Sequence, residues 1–215
     1  MHWSILDGLE EEEAERVLAA ARRRHYAREE VVFHEGDPAD TLHLVESGRF
    51  AVRIATQYAD EAILTVLGSG EFFGELALLT PGAPRSATIS ALEPATTLAL
   101  HADDFRRLRR EHPEVIEVLI AVMATQVRRL SRHLVEALYL PAETRVRRRL
   151  LEVAGAYGGD VVPLSQEQVA ELAGVSRATT NKVLREDSAK GYVRLARRQT
   201  EVLDREALAR LAGLR

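Results

Sequence analysis

The spacing of apolar residues along the chain changes twice. From Val31 to Leu100 they come in short runs: Val31-Val32-Phe33, Thr41 to Val45, Phe50 to Ile54, Ala62 to Leu67, Ser86 to Ala91 and Thr97 to Leu100. Turn formers part them, among them Glu35-Gly36-Asp37-Pro38, Glu46-Ser47-Gly48, Gly68-Ser69-Gly70 and Pro81-Gly82-Ala83-Pro84. Many short strands at this spacing predict an antiparallel sandwich or barrel. Before this stretch, residues 9–24 (LEEEEAERVLAAARRR) predict a helix. Its acids lie in the early turns and its arginines in the last, the order a helix dipole favours. After the strands, Asp103-Asp104 predict a capped helix start, and Pro113 suits the first turn of another.

In that second helix the spacing becomes narrower. Ile116, Ile120, Met123, Val127, Leu130, Leu134 and Ala137 alternate steps of four and three, the a/d seam of a coiled coil. A helix packed inside its own domain shows a broader apolar face, so the narrow stripe favours a seam between two copies through residues 114–138. The helix stops before Pro141. Residues 144–156 predict a further helix, ending near Tyr157-Gly158-Gly159.

Ser165 with Gln168 three residues later has the pattern of a capping box, and it opens the segment SQEQVAELAGVSRATTNKVL. About eight helical residues meet Gly174, and Ser176 caps a second helix. Val169, Leu172, Val175, Thr180, Val183 and Leu184 can form a small core, leaving Arg177, Ala178, Asn181 and Lys182 on one face. This is helix-turn-helix geometry, with the second helix offered to a DNA major groove. Arginine can reach guanine O6 and N7, and asparagine can pair with adenine. Residues 191–195 and 200–203 predict a hairpin wing with Arg197, Arg198 and Gln199 at its tip. A helical hairpin with a merely basic surface is the bland alternative, and the wing argues against it.

Charge supports that reading. Residues 1–144 carry 15 Lys and Arg against 24 Asp and Glu, while residues 145–215 carry 14 against 9. A basic C-terminal part suits a polyanion. The longest apolar run, Val118 to Ala124, is far short of the roughly 20 residues a spanning helix needs. The start Met1-His2-Trp3 is not that of a secretory signal. With no cysteine, thiolate metal sites and cysteine nucleophiles are excluded, and the 7 histidines show no H-x-x-x-H pair. No catalytic or metal constellation is visible, and the expected location is the cytoplasm.

The second motif is Glu71-Phe72-Phe73-Gly74-Glu75-Leu76-Ala77-Leu78-Leu79, a Pro/Gly loop, then Arg85-Ser86-Ala87-Thr88. It offers backbone N–H groups around Gly74, a guanidinium and a hydroxyl for a phosphate, and a carboxylate for a ribose hydroxyl.

These motifs, in this order, resemble the cyclic-AMP receptor protein and FNR superfamily of bacterial transcription regulators over nearly the whole chain. The resemblance implies an α+β chain. Residues 1–110 would form a cyclic-nucleotide-binding β-roll, jelly-roll-like. Residues 111–140 would form a dimerisation helix, and residues 141–215 a winged helix-turn-helix. It implies that Arg85 and Ser86 hold a cyclic phosphate and Glu75 the ribose 2′-hydroxyl, with Gly74, Leu76 and Ala87 completing the cassette. Gln126, Leu130 and Ser131 fall where the family's central helix meets the phosphate and base. Leu130 cannot hydrogen-bond there, leaving Ser131. On the DNA side the expected contacts are Ser165, Gln166, Ser176, Arg177, Ala178, Thr179, Asn181, Lys182, Arg197 and Arg198. Ala178 stands where the family often has glutamate, and Asp187 where an apolar residue is usual. The implied protein is a homodimeric regulator on a two-fold DNA operator. Cyclic AMP would be its allosteric effector rather than a cofactor, and RNA polymerase a partner. A member that needs no effector, or a cyclic-nucleotide module of a non-transcriptional protein, are the alternatives.

Overall fold

The computed structural model describes residues 3–6, 9–55, 61–80 and 82–214. Pro81, in the expected Pro/Gly loop, lies outside them. Apart from Ala55 and residues 61–63, which group with the second, the described residues form two compact units that divide at residue 128.

The first unit contains a 3-10 turn (Ser4–Leu6), helix α1 (Glu11–Ala20) and strands β1 (Arg22–Tyr26), β2 (Val31–Phe33), β3 (Thr41–Ser47), β4 (Phe50–Ala55) and β5 (Glu61–Leu67). Strand β6 (Phe72–Phe73), helix α2 (Glu75–Leu79), strands β7 (Thr88–Ala91) and β8 (Ala95–His101) and helix α3 (Ala102–Glu111) follow. The strands make two four-stranded sheets, ordered β1-β8-β3-β6 and β2-β7-β4-β5. The expected roll is therefore present.

Strand β3 shows why the apolar pattern there is nearly continuous rather than alternating. Leu42 and Leu44 join a cluster with Phe105, Leu108, Val115 and Leu119, whereas Val45 joins Phe50, Phe73 and Ile89 in another. Both faces of the strand are covered, so neither needs polar residues. Trp3 is buried, and its indole N–H donates to the Val45 carbonyl at 3.0 Å.

Two helix boundaries differ from expectation. The helix expected over residues 9–24 stops at Ala20, where Ala21 is extended (φ −78°, ψ 144°). Arg22, Arg23 and Arg24 then pair with Ala99, Leu98 and Thr97. The ladder with β8 outweighs what the dipole offers an arginine at a helix end. Helix α3 is capped by His101, whose side chain accepts from the Asp103 N–H, so Asp103 and Asp104 lie in its first turn instead. Strands β1 and β6 were not legible as strands.

Helix α4 (Glu114–Tyr139) is continuous across the divide between the units. The second unit adds α5 (Ala142–Ala156), β9 (Val161–Val162), α6 (Gln166–Ala173), α7 (Arg177–Ala189), β10 (Val193–Ala196), β11 (Gln199–Val202) and α8 (Arg205–Leu211). The capping box is formed on both sides: Gln168 N–H donates to Ser165 Oγ, and Ser165 N–H to Gln168 Oε1. Gly174 ends α6 at φ 61°, the left-handed conformation the turn requires. Ser176 caps α7 as expected. The wing is a three-stranded sheet ordered β10-β11-β9, with Arg197 and Arg198 as its two-residue turn; Gln199 belongs to β11.

Asp187, an oddity in sequence, finds its account here. It is fully buried and accepts two hydrogen bonds at 2.9 Å from the Nε and Nη2 of Arg147 on α5. Such a bidentate pair satisfies both charges. A second network surrounds Glu136 on α4, which accepts from Arg148 at 2.8 Å and from Arg149. Burial alone would raise its pKa, but the two guanidiniums hold it below the ordinary carboxylate value. Arg148 also donates to the carbonyls of Ala212 and Gly213, and Arg149 to Glu152.

Replacing one partner of the Arg147–Asp187 pair leaves the other charged and buried. Asp187→Leu should therefore destabilise by about 3–5 kcal/mol in urea unfolding, whereas the Arg147→Leu, Asp187→Leu double variant should recover most of that loss. Equal losses in the single and double variants would contradict this account of the pair.

Candidate functional site

Gly74 precedes α2 with φ 91°, and its Cα faces Arg85 so closely that a Cβ would lie 2.7 Å from Arg85 Nη1 and 2.9 Å from the Thr41 carbonyl oxygen. Only glycine leaves this space and adopts this backbone. Arg85 is 3% exposed. Its Nη1 donates to the carbonyls of Thr41 (2.8 Å) and Gly74 (3.1 Å), and its Nη2 to Thr41 Oγ1 (2.9 Å). Asp40 lies 3.7 Å away, and the Phe33 ring lies under the guanidinium at 4.1 Å. Arg85 Nε is buried and has no partner. A buried donor facing no acceptor costs free energy that an incoming oxyanion would relieve. Burial pushes the Arg85 pKa down, opposed by Asp40, Asp37 and Glu75; the group stays a cation.

Glu75, the first residue of α2, is half-buried. Burial raises its pKa, and a backbone hydrogen bond and Arg85 oppose that rise. Ser86 is exposed, Ala87 is buried, and Leu76 is 49% exposed. The structure thus brings Gly74 and Arg85 into contact, places Glu75 within their field and leaves Ser86 open to solvent. Gln126, Leu130 and Ser131 lie along α4, with Leu130 47% exposed.

Sequence reasoning missed Thr41, which holds Arg85 through both its carbonyl and its hydroxyl, and His43 beneath it. His43 is buried and stacks on Phe73 with centroids 5.0 Å apart. Its Nε2 pairs with Thr41 Oγ1 and its Nδ1 with Thr97 Oγ1, each at 3.1 Å. Burial first, then Arg85, pushes its pKa down to about 3. His43 and Thr41 share strand parity, but the partnership of Thr41 with an arginine 44 residues away depends on the β3 and β6 pairing. No local spacing encodes that.

In the second unit, Thr180, Val183, Leu184 and Asp187 turn inward from α7. Arg177, Ala178, Lys182 and Arg185 are exposed, with Asn181 half-buried among them. The expected face is therefore formed. Ser176 Oγ accepts from the Thr179 N–H and pairs with Thr179 Oγ1 at 2.9 Å. Asn181 Nδ2 donates to Gln166 Oε1 at 2.6 Å. Arg198 holds φ 57° at the wing tip, a strained conformation for a non-glycine residue. Among the described residues, no group of three or more His, Asp or Glu is placed to hold a metal ion. None of their helices is long and apolar enough to cross a membrane.

Comparison with known proteins agrees with this geometry. The cyclic nucleotide-binding domain family matches residues 23–112, and the Crp-like helix-turn-helix domain matches residues 144–211. The chain is 31% identical to a CRP-like cAMP-activated global transcriptional regulator of Mycobacterium tuberculosis, covering 87% of this chain and 86% of that one. It is 33% identical to the cyclic AMP receptor protein of Thermus thermophilus, over 97% and 96% of the two chains. Among solved structures, the Thermus thermophilus catabolite activator protein superposes with a TM-score of 0.57 at 33% identity, covering 99% and 100%. The c-di-GMP responsive global regulator CLP of Xanthomonas campestris gives 0.80 at 22% identity, covering 90% and 99%, a likeness of fold.

His43 gives a pH-dependent expectation. Above its ordinary value of 6.5 neither folded nor unfolded chain holds the proton. Between 6.5 and about 3 the unfolded chain takes up a proton that the folded chain refuses, so stability falls as pH falls through that window. At pH 5 the loss relative to pH 7 should be roughly 2 kcal/mol from this residue. His43→Gln should flatten the dependence of urea unfolding on pH by that amount. Identical pH slopes in variant and parent would show that His43 takes up protons in the folded state.

Proposed function

The chain belongs to the cyclic-AMP receptor protein and FNR superfamily of DNA-binding transcription regulators, and from that membership we propose a homodimeric, sequence-specific regulator whose operator affinity is controlled by cyclic AMP. The observation that carries the effector is Arg85: a cation buried beside Gly74, with an unpartnered Nε, inside a domain of the cyclic nucleotide-binding family. In this reading Arg85, Ser86 and the Gly74 backbone take the cyclic phosphate. Glu75 takes the ribose 2′-hydroxyl, with Leu76 and Ala87 completing the cassette. The relatives carry names of regulators rather than enzymes, and we place the protein in the cytoplasm with RNA polymerase as a further partner.

A second reading also has its observation. Both terminal nitrogens of Arg85 already donate to the protein, and Leu130 offers a base no hydrogen bond. A regulator that binds DNA without an effector would keep the cassette as structure alone.

Isothermal titration with cyclic AMP, cyclic GMP and cyclic di-GMP separates these readings. Arg85→Leu should weaken cyclic AMP roughly tenfold to a hundredfold, the value of a charge-assisted bond of about 1.5–3 kcal/mol. By linkage, operator DNA should tighten cyclic AMP by the factor that cyclic AMP tightens DNA. Tight operator binding with no heat from any nucleotide would establish the effector-independent reading.

The dimer rests on α4. Ile120, Val127, Leu130 and Leu134 of the seam are 55%, 62%, 47% and 61% exposed in the single chain. Burying each against a second copy contributes roughly 1.5–3 kcal/mol, and a charge placed there would be buried unpaired. Val127→Glu and Leu134→Glu should sediment as monomers and lose operator binding. An intact dimer in both variants would remove the seam from the interface.

A further inference from the structure

We propose that Thr41 is a positioning residue of the effector site: by holding both terminal nitrogens of Arg85, it turns the other edge of the guanidinium toward the cyclic phosphate. The inference rests on the reading that Arg85 receives that phosphate. A guanidinium has five N–H donors and no acceptor. Three of them are spent on the protein. Nη1 donates to the Thr41 carbonyl at 2.8 Å and to the Gly74 carbonyl at 3.1 Å, and Nη2 donates to Thr41 Oγ1 at 2.9 Å. Among the described residues, two donors remain, one on Nη2 and one on Nε, which is buried without a partner. Asp40 lies 3.7 Å from Nη2, beyond hydrogen-bond reach.

The two remaining donors sit on adjacent nitrogens and form the side fork of the guanidinium. The same fork of Arg147 takes both carboxylate oxygens of Asp187, Nε and Nη2 each at 2.9 Å. A cyclic phosphodiester presents two non-bridging oxygens that suit such a fork. The residue that holds the fork cannot exchange its roles. A carbonyl only accepts, and Oγ1 must also accept from a group that only donates. The hydroxyl hydrogen goes to Asp40 Oδ1 or to His43 Nε2, each 3.1 Å away, and either choice leaves the bond to Arg85 unchanged. His43 is fixed in turn by Thr97 Oγ1 at 3.1 Å and by stacking on Phe73. Without Oγ1, the guanidinium is free to pivot about its Nη1 bonds, and the fork no longer faces one direction.

The test is isothermal titration of the full-length chain with cyclic AMP and with 2′-deoxy cyclic AMP, at millimolar nucleotide for the weaker variants. Thr41→Val keeps the carbonyl and the shape of the side chain but removes the hydroxyl. It should weaken cyclic AMP by roughly fivefold to tenfold, the value of about one hydrogen bond. Its preference for cyclic AMP over the 2′-deoxy form should stay that of the parent, because the ribose contact is not made through Arg85. Thr41→Ala should repeat the valine result. Thr41→Ser restores the acceptor and should bind within about twofold of the parent. Arg85→Lys has no fork to orient, so adding Thr41→Val to it should cost less than about twofold, a double-mutant cycle in which the two effects fail to add. Four results would each overturn the proposal while leaving the effector reading in place: parental affinity in the valine and alanine variants, loss of the ribose preference in them, an equal loss in the serine variant, or full additivity with Arg85→Lys. No heat from cyclic AMP in the parent would remove that reading, and the proposal with it.

Discussion

A guanidinium taken out of water must be given acceptors, and the placement of Arg85 constrains much of the first unit. Three of its hydrogen bonds go to Thr41 and Gly74, which fixes the start of β3 against the turn before α2. The turn must then lack a side chain, because a Cβ on Gly74 would meet the guanidinium. Beneath, Thr41 also meets His43, whose ring is locked by Thr97 and stacked on Phe73. Phe33 lies under the guanidinium and packs against His43 and Phe73. A neutral histidine is what this arrangement requires. Burial first, and then repulsion from Arg85, disfavours a second cation there and displaces the His43 pKa downward, with Asp40 offsetting that in part. Arg85 Nε is a buried donor left without a partner, and in the function proposed above its guanidinium takes the cyclic phosphate.

The second unit meets the same demand with different partners. Arg147 and Asp187 are buried together, so the recognition helix is joined to α5 by a directional contact as well as by apolar packing. Apolar packing alone tolerates small rotations of a helix; two hydrogen bonds in a fixed plane tolerate far less. For a helix whose exposed side chains must meet base edges, that restriction bears on function. Arg148 extends the same logic, joining Glu136 on α4 to the carbonyls that follow α8.

What the sequence disclosed depended on the range of the signal. The capping box, the Gly174 turn and the Ser176 cap are encoded within a few residues by rules of helix geometry. Strand β1 is not, because RRRHY has no apolar alternation; it is a strand only because β8 lies beside it. His43 and Thr41 were missed for a related reason. Their significance comes from an arginine far along the chain, and a histidine in a strand carries no mark of its partner. Asp187 was conspicuous in sequence as a charge at a core position, yet its partner Arg147 sits in a run of arginines where none stands out.

That run also changes what the charge asymmetry means. The excess of basic residues after residue 144 suggested a polyanion partner, but α5 supplies four of its arginines, and each has an internal partner. Arg145 donates to the Gly174 carbonyl, Arg147 to Asp187, Arg148 to Glu136 and the chain end, and Arg149 to Glu136 and Glu152. Arg194 is likewise paired with Glu201 across the wing. The positive charge left to face solvent is concentrated on α7 and the wing tip, at Arg177, Lys182, Arg185 and Arg197. Net charge thus pointed to the right partner while overstating how much of the surface serves it. Most of the arginines hold the reading head together, and a small exposed set remains to meet the phosphates, which is where a duplex lying along α7 and the wing would place them.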